Sequence, residues 1–492
     1  MIKRSSGILM HITSLPGLYG IGTFGKEAYK FVDFLEKSSQ SYWQILPLGI
    51  TGEGDSPYQS FSAFAGNPYF IDLDFLTQQG LLSREDYENT DFGSNCIIVD
   101  YEKIFNNKMP ILRLAFEKGK YTYENEVREF RKNNKFWIED YSLYMAIKCK
   151  FGLKSWQNWD KPIKVRNKET IDNYREELKE EIDYWIFLQY LFFTQWFNLK
   201  KYANDKGIKI IGDIPIYVAE DSADTWANSE IFMLDEDKKP IAVSGCPPDA
   251  FSTTGQLWGN PIYNWIQLEK VNYKWWMERI KFNSMLYDVT RIDHFRGFES
   301  FWEVPYGEKT AVNGAWVKGA GIKMFDAVSK TLGKIDIIAE DLGYITQEVI
   351  DFRNASGFPG MKVLEFAFDA REQSDYLPHN YNKNCIVYTG THDNETVMGW
   401  MENTKKEDVD FAKKYFKLDE EEGYNWGFIR GALSSVANLS IIQIQDYLGL
   451  GNEARMNIPS TIGGNWQWRV EREMLTDKLA EKINNITMLY GR

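Results

Sequence analysis

Eight short apolar runs, separated by stretches with helical periodicity, constrain the fold of this chain more than any other feature. They are 7–12 (GILMHI), 42–48 (YWQILPL), 209–218 (KIIGDIPIYV), 288–297 (DVTRIDHFRG), 335–343 (IDIIAEDLG), 361–368 (MKVLEFAF), 385–394 (CIVYTGTHDN) and 440–448 (SIIQIQDYL). A strand that is apolar on both faces has to be covered on both, as in a parallel sheet flanked by helices. Between the runs, Phe24, Ala28, Phe31, Val32 and Leu35 mark a helix over 24–37. Further helices are predicted over 182–204, 273–285, 322–332 and 468–483. The last would bury Val470, Met474, Leu475, Leu479 and Ile483 at helical spacing. Eight alternating units predict an α/β chain closed into a (β/α)8 barrel, with an open doubly wound sheet as the alternative.

The 492 residues exceed what eight minimal units need. We read 1–492 as one barrel domain without a C-terminal β-sandwich domain, carrying two insertions. The first, 52–205, is charged and mainly helical, with helices over 125–133 and 173–181. The second, 219–285, is a lid region in which 219–267 reads as a long loop; loops of that length in compact domains are commonly lids or binding loops. Residues 54–73 are dense in turn formers and aromatics and read as a binding loop.

A net charge of −13, without a block of like charges, argues against nucleic acid or an anionic membrane as partner. Cys96, Cys149, Cys246 and Cys385 match no metal or disulfide framework, so reduced thiols in the cytoplasm are expected. The N-terminus lacks the apolar core of a signal peptide. The apolar run 184–197 is too short and too polar to span a bilayer and reads as a buried helix. Gly20, Gly25 and Lys26 satisfy the spacing of a phosphate loop, but Glu27 stands where a Ser or Thr would hold Mg²⁺. No cofactor is expected.

Catalytic groups of such a barrel lie at the C-terminal ends of its strands. Those ends carry Asp213, Asp293, Glu340, Asp341, Asp369 and Asp393. Like charges at close range cannot all ionise, so at least one of these acids should keep its proton near neutrality. A protonated acid beside an ionised carboxylate is the kit for glycosidic cleavage. Arg291 shares a strand face with Asp293 and favours its ionised form, although alone the pair reads as a structural ion pair at a sheet rim. His294 and His392 adjoin two of the acids, and His11 ends the first run. Without a metal-ligand spacing, hydrogen bonds to sugar hydroxyls suit these histidines better than a metal. Aromatics at 15% of the chain fit sugar stacking and core packing equally.

Taken in order, ILMHITSLPG, DSPYQSFSAFAGNPY, IGDIPIYV, PPDAFSTTGQLWGNPIY, RIDHFRGF, IAEDLG, YTGTHDNET and NIPSTIGGNWQWR span Gly7 to Arg469. In these segments the chain resembles the amylomaltases, the 4-α-glucanotransferases of glycoside hydrolase family 77 within the α-amylase superfamily. The resemblance implies transfer of α-1,4-glucan segments between maltooligosaccharides through a covalent glucosyl intermediate. Asp293 would be the nucleophile, Glu340 the general acid/base and Asp393 the third carboxylate, gripping sugar hydroxyls. Tyr58, Arg291, His294 and His392 would line the donor side, and Phe251 and Trp258 would touch sugar from a lid over 247–261. Asp213, Asp341, Asp369 and Asn465 complete the expected substrate contacts. Many members carry an aromatic residue where this chain has Ala250. The implied partners are α-1,4-glucans, for a monomer or small homo-oligomer. An α-glucan hydrolase and a non-catalytic glucan-binding protein are the competing functions.

Overall fold

A computed structural model describes residues 2–52, 54–248, 252–343 and 345–492. Its strands are β1 (Ser5–Leu9), β2 (Tyr42–Gln44), β3 (Lys209–Pro215), β4 (Ala242–Cys246), β5 (Gln256–Pro261), β6 (Val289–Asp293), β7 (Ser300–Pro305), β8 (Ala315–Lys318), β9 (Ile337–Ala339), β10 (Gly360–Val363), β11 (Cys385–Tyr388) and β12 (Leu439–Gln443). Eight of them form one all-parallel sheet in the order β10-β11-β12-β1-β2-β3-β6-β9. Its two edges meet where the Ala339 amide donates to the Pro359 carbonyl at 2.9 Å. The sheet is the expected (β/α)8 barrel, and each of the eight apolar runs supplies one strand.

Ile210, Ile211, Ile338, Ile386, Val387, Ile441 and Ile442 are fully buried in these strands, as a sheet packed on both faces demands. Close approach inside the barrel explains Gly7 in β1. A Cβ there would stand 2.5 Å from the Tyr42 carbonyl oxygen and 2.8 Å from Ile441 Cδ1.

Most of the predicted runs continue past the strand that each contains. Residues 45–48, 364–368, 389–394 and 444–448 lie beyond β2, β10, β11 and β12 as turns, short 3-10 segments and the helix Ile444–Leu448. They stay largely buried above the barrel mouth, and an apolar run does not tell a strand from a buried loop. The helix expected over 182–204 is Lys179–Asp205, and those over 273–285 and 322–332 are Lys274–Leu286 and Ile322–Leu332.

Two expected helices are corrected. The stretch 173–181 is divided between Lys168–Glu177 and Lys179–Asp205, which meet at Leu178. No Gly or Pro marks that joint in the sequence. The stretch 468–483 is not one helix either. Arg469 and Val470 give their amides to the Ile97 and Ser14 carbonyls, both at 2.9 Å, and so tie an extended segment to other loops. The helix starts only at Asp477, where the Thr476 hydroxyl caps it by accepting the Leu479 amide at 3.1 Å.

Residues 219–267 are not a simple loop. β4 and β5 lie there and join β7 and β8 in an antiparallel sheet of order β5-β4-β7-β8. Gly245, Gly259 and Pro261 break the alternation that would have announced these strands. Among the described residues no helix is long and apolar enough to cross a membrane.

The core depends on these barrel contacts. Ile441→Ala should destabilise the fold by about 2–5 kcal/mol, the usual range for emptying a buried aliphatic site. A urea titration followed by tryptophan fluorescence reads that loss as a lower midpoint.

Candidate active site

The site starts from a buried fork. Arg291 on β6 stands opposite Asp213 on β3 in the strand register. Its Nη1 donates to Asp213 Oδ2 at 2.5 Å, and its Nη2 to Asp293 Oδ1 at 2.9 Å. Nε points to Met361 Sδ at 3.4 Å. Burial opposes the charge of this guanidinium, but Asp213 and Asp293 outweigh it and hold the group protonated. Tyr58, carried by the loop after β2, donates its hydroxyl to the same Asp213 Oδ2 at 2.8 Å. One carboxylate thereby hooks the loop onto the barrel.

Asp293 ends β6, and Glu340 follows β9, the next strand in the sheet. Ile292 and Ala339, the residues just before them, are register partners. Glu340 Oε2 accepts the His294 amide and Oε1 the Leu342 amide, both at 2.7 Å. His294 reaches that position with a left-handed backbone, φ 53° and ψ 46°. Burial, then the neighbouring Asp293, push the Glu340 carboxyl up to about 7 against Arg291 and the two amides. Asp293 is also raised, to about 6, by burial and by the charges of Asp213 and Asp393, while Arg291 pulls it down. Both carboxyls are raised, and Glu340 lies the higher of the two.

Asp393 behaves in the opposite way. Burial would raise it, but His392, with Nε2 3.3 Å from Oδ2, and the Asn457 amide, 2.6 Å from Oδ1, bring it down to about 2. The same contact raises His392 above the ordinary imidazole value against its burial. Tyr58 stacks on the His392 ring at 5.2 Å with 16° between planes, and Trp466 leans on both.

Comparison with known proteins then bears on the chemistry. The glycoside hydrolase family 77 model, described as 4-alpha-glucanotransferase, matches residues 10–476. The 4-alpha-glucanotransferase of Clostridium butyricum is 59% identical over 98% of this chain and 100% of its own length. The chloroplastic/amyloplastic 4-alpha-glucanotransferase of Solanum tuberosum is 44% identical over 100% of this chain and 87% of its own. The structure of an amylomaltase from Streptococcus agalactiae in complex with acarbose matches with a TM-score of 0.98, 46% identity and full coverage of both chains. The chain belongs to the 4-α-glucanotransferase family. It is an enzyme of glycoside hydrolase family 77, as its motifs implied.

Against that family background, the site residues read from the sequence fall into two groups. Asp213, Arg291, Asp293, Glu340, His392, Asp393 and Tyr58 are linked by the contacts above. Trp258 on β5 joins them through His294, whose ring it meets edge-on at 4.6 Å. His294 itself is pushed down to about 3 by burial and by Arg296, so it is neutral at physiological pH. His11 is likewise neutral, pushed to about 3 by burial and by nearby His392, and its Nδ1 accepts the Leu46 amide at 3.2 Å.

Asp341 and Asp369 stand apart. Asp341 Oδ1 accepts the Met361 amide at 2.7 Å and Oδ2 takes the Arg353 guanidinium, so it braces β10 against the helix Gln347–Ser356. Asp369 is clamped by Arg371 and falls to about 2 through that hydrogen bond. It sits in a shallow depression with Glu407, Asp410 and Lys414. Of the six carboxylates read from the strand ends, Asp341 and Asp369 thus have arginine partners of their own, outside the contacts that link the other four. Asn465 spends its side chain on the Ile458 amide and on Thr461, bracing the loop next to Asn457. Phe251 and Ala250 lie outside the described residues. Among the described residues no group of three or more His, Cys, Asp or Glu could hold a metal ion.

Asn457, Arg455 and Trp466 went unnoticed in the sequence, although Asn457 and Trp466 lie in the motif NIPSTIGGNWQWR. An amide acquires meaning only once folding brings it to a carboxylate 64 residues away.

The chain has only four histidines, so imidazole titration by NMR can follow His392. In Asp393→Asn, burial is left without its counter-charge, and the His392 pKa should drop from above to below the ordinary value.

Proposed function

We propose that the enzyme transfers α-1,4-glucan segments between maltooligosaccharides by retaining double displacement, with Asp293 as nucleophile and Glu340 as general acid/base. The observation that carries this reading is the pair of carboxyls on neighbouring strands with divergent environments: Arg291 salt-bridged to Asp293, and Glu340 raised to about 7. Adjacent strands lie about 4.8 Å apart. That spacing suits the separation of about 5–5.5 Å between the carboxyls of retaining enzymes.

In the first step an Asp293 oxygen attacks the anomeric carbon while the bond to the leaving 4-oxygen breaks. Glu340 gives its proton to that oxygen. In the second step the 4-hydroxyl of another glucan attacks the same carbon, the ester bond to Asp293 breaks, and Glu340 takes the hydroxyl proton. Positive charge gathers on the sugar ring in both transition states. Asp213, Asp293 and Asp393 supply compensating negative charge in a water-poor site. Asp393, held by His392 and Asn457, grips ring hydroxyls. Tyr58, Trp258, His294 and His392 are the proposed sugar-facing wall, and Phe251 joins them in the proposed lid over 247–261. That the Streptococcus agalactiae relative was solved in complex with acarbose supports a sugar ligand for this chain.

Transfer prevails over hydrolysis when the acceptor sugar, not water, reaches the intermediate. Trp258 and Gln256 on β5 sit in a sheet rather than on a free loop, which favours an ordered acceptor wall. A cytoplasmic enzyme, monomeric or a small homo-oligomer, is part of the same proposal; none of its four cysteines is in a disulfide.

Incubation with maltotriose should give glucose together with a ladder of longer oligosaccharides, read by chromatography. Shorter products alone would make it a hydrolase, and no products a binding protein. Asp293→Asn should lose nearly all turnover while still binding acarbose by calorimetry.

A further inference from the structure

The residues that hold Asp393 and His392 in place come from beneath the loop that bears them. Residues 389–397 connect β11 to the helix Val397–Asn403. Asp446 is fully buried under this loop, on the helix that follows β12. One of its oxygens accepts the Thr389 hydroxyl at 2.5 Å and the other the Val397 amide at 2.8 Å. A single carboxylate thus joins the first and last residues of the loop.

A second buried acid, Glu365, comes from the segment after β10. Its own backbone amide donates to the Thr389 carbonyl at 3.3 Å, and a Cβ placed on Gly390 would stand 2.5 Å from its side-chain Oε1. Gln443 at the end of β12 lies on the other side, its Nε2 donating to the Glu395 carbonyl at 3.2 Å. Gly390 lets the backbone pass between the ends of the Glu365 and Gln443 side chains, which a Cβ would have to push aside. Above the loop, Arg455 donates to the Asp393 carbonyl at 2.7 Å, and Asn457 fixes the carboxylate itself.

We propose that Asp446 and Glu365 are positioning residues for the transfer reaction: they staple the two ends of the 389–397 loop to the barrel and so set where Asp393 and His392 meet the sugar. The claim rests on the reading of Asp393 as a sugar-gripping carboxylate. The two acids differ in charge. Burial, then the charges of Asp446 and Glu395, push Glu365 well above the usual range, so it acts as a neutral carboxylic acid. Asp446 is raised by burial to about 6, held down by Thr389 and the Val397 amide, and is ionised at neutrality. An ionised Asp446 accepts both of its bonds without rearrangement.

Two readouts test this on the full chain: kcat and KM for maltotriose disproportionation, and the NMR titration of His392. That imidazole is faced by Asp393, Arg291, Asp213, Asp293, Tyr58 and His11. Asp446→Ala opens the staple. It should lower the His392 pKa, as Asp393 moves away from the ring, and reduce kcat on the order of a hundredfold, the scale of an ångström misplacement. If that variant does not fold, Asp446→Asn carries the test, with a smaller change of the same sign in both readouts. Glu365→Gln, an isostere of the neutral acid, should leave both unchanged, whereas Glu365→Ala should move both. Unchanged His392 titration and kcat in a folded Asp446 variant would overturn the proposal, as would a Glu365→Gln variant as impaired as Glu365→Ala. A shifted His392 with unchanged kcat would keep the staple, but would refute the role given to Asp393 and with it the link to the reaction.

Discussion

Arg291 sits inside a protein barrel with almost no water to share its charge, and the rest of the site follows from how that charge is met. Leaving a buried guanidinium unpaired is costly by several kcal/mol, so its partners are effectively fixed. Asp213 and Asp293 meet it from adjacent strands, and Tyr58 reaches over to the same Asp213 oxygen. The fork therefore does three things at once. It locks β3 to β6, moors the loop after β2, and aims the Asp293 carboxylate at the mouth. Burial, and then the charge of neighbouring Asp293, push Glu340 toward keeping its proton.

Environment, not residue type, assigns the protonation states. Glu340 is set in a dry position beside like charge and rises to about 7. Asp393 is equally enclosed but touches His392 and Asn457, and it falls to about 2. Asp293 lies between, pulled up by burial and two carboxylates and down by the arginine. Three buried carboxyls thereby come to different pKa values, Glu340 highest and Asp393 lowest. That separation is what a site handling a positively charged sugar transition state requires.

Much of this was legible in the sequence, because a parallel barrel writes its strands as apolar runs and places chemistry at their ends. RIDHFRG, IAEDLG and THDNET announced Asp293, Glu340 and Asp393 in this way. The four-stranded sheet of β4, β5, β7 and β8 was hidden because its strands include glycines and two prolines and alternate poorly. Asp341 was read by the same logic as Glu340, from its place after β9. Adjacent residues after β9 point to different places, and only the fold reveals that Asp341 turns to Arg353. Asp369 lies six residues past the end of β10 and pairs with Arg371. Asn457, Arg455 and Asp446 were invisible because their meaning is a contact with a loop far away in the chain. The helix start at Asp477 was legible in principle from Thr476 as its cap, but the apolar spacing across 468–483 masked it.

The account stands or falls on Asp293 carrying the sugar between two steps. The most direct measurement uses Glu340→Gln with an α-maltosyl fluoride donor, whose leaving group needs no acid. The covalent intermediate should then accumulate for want of the base that activates the acceptor. Acid quench, proteolysis and mass spectrometry should find a maltosyl ester on the peptide containing Asp293, and on no other. A donor consumed without any adduct, with the anomeric configuration inverted in the product, would contradict the account, as would an adduct on another carboxylate.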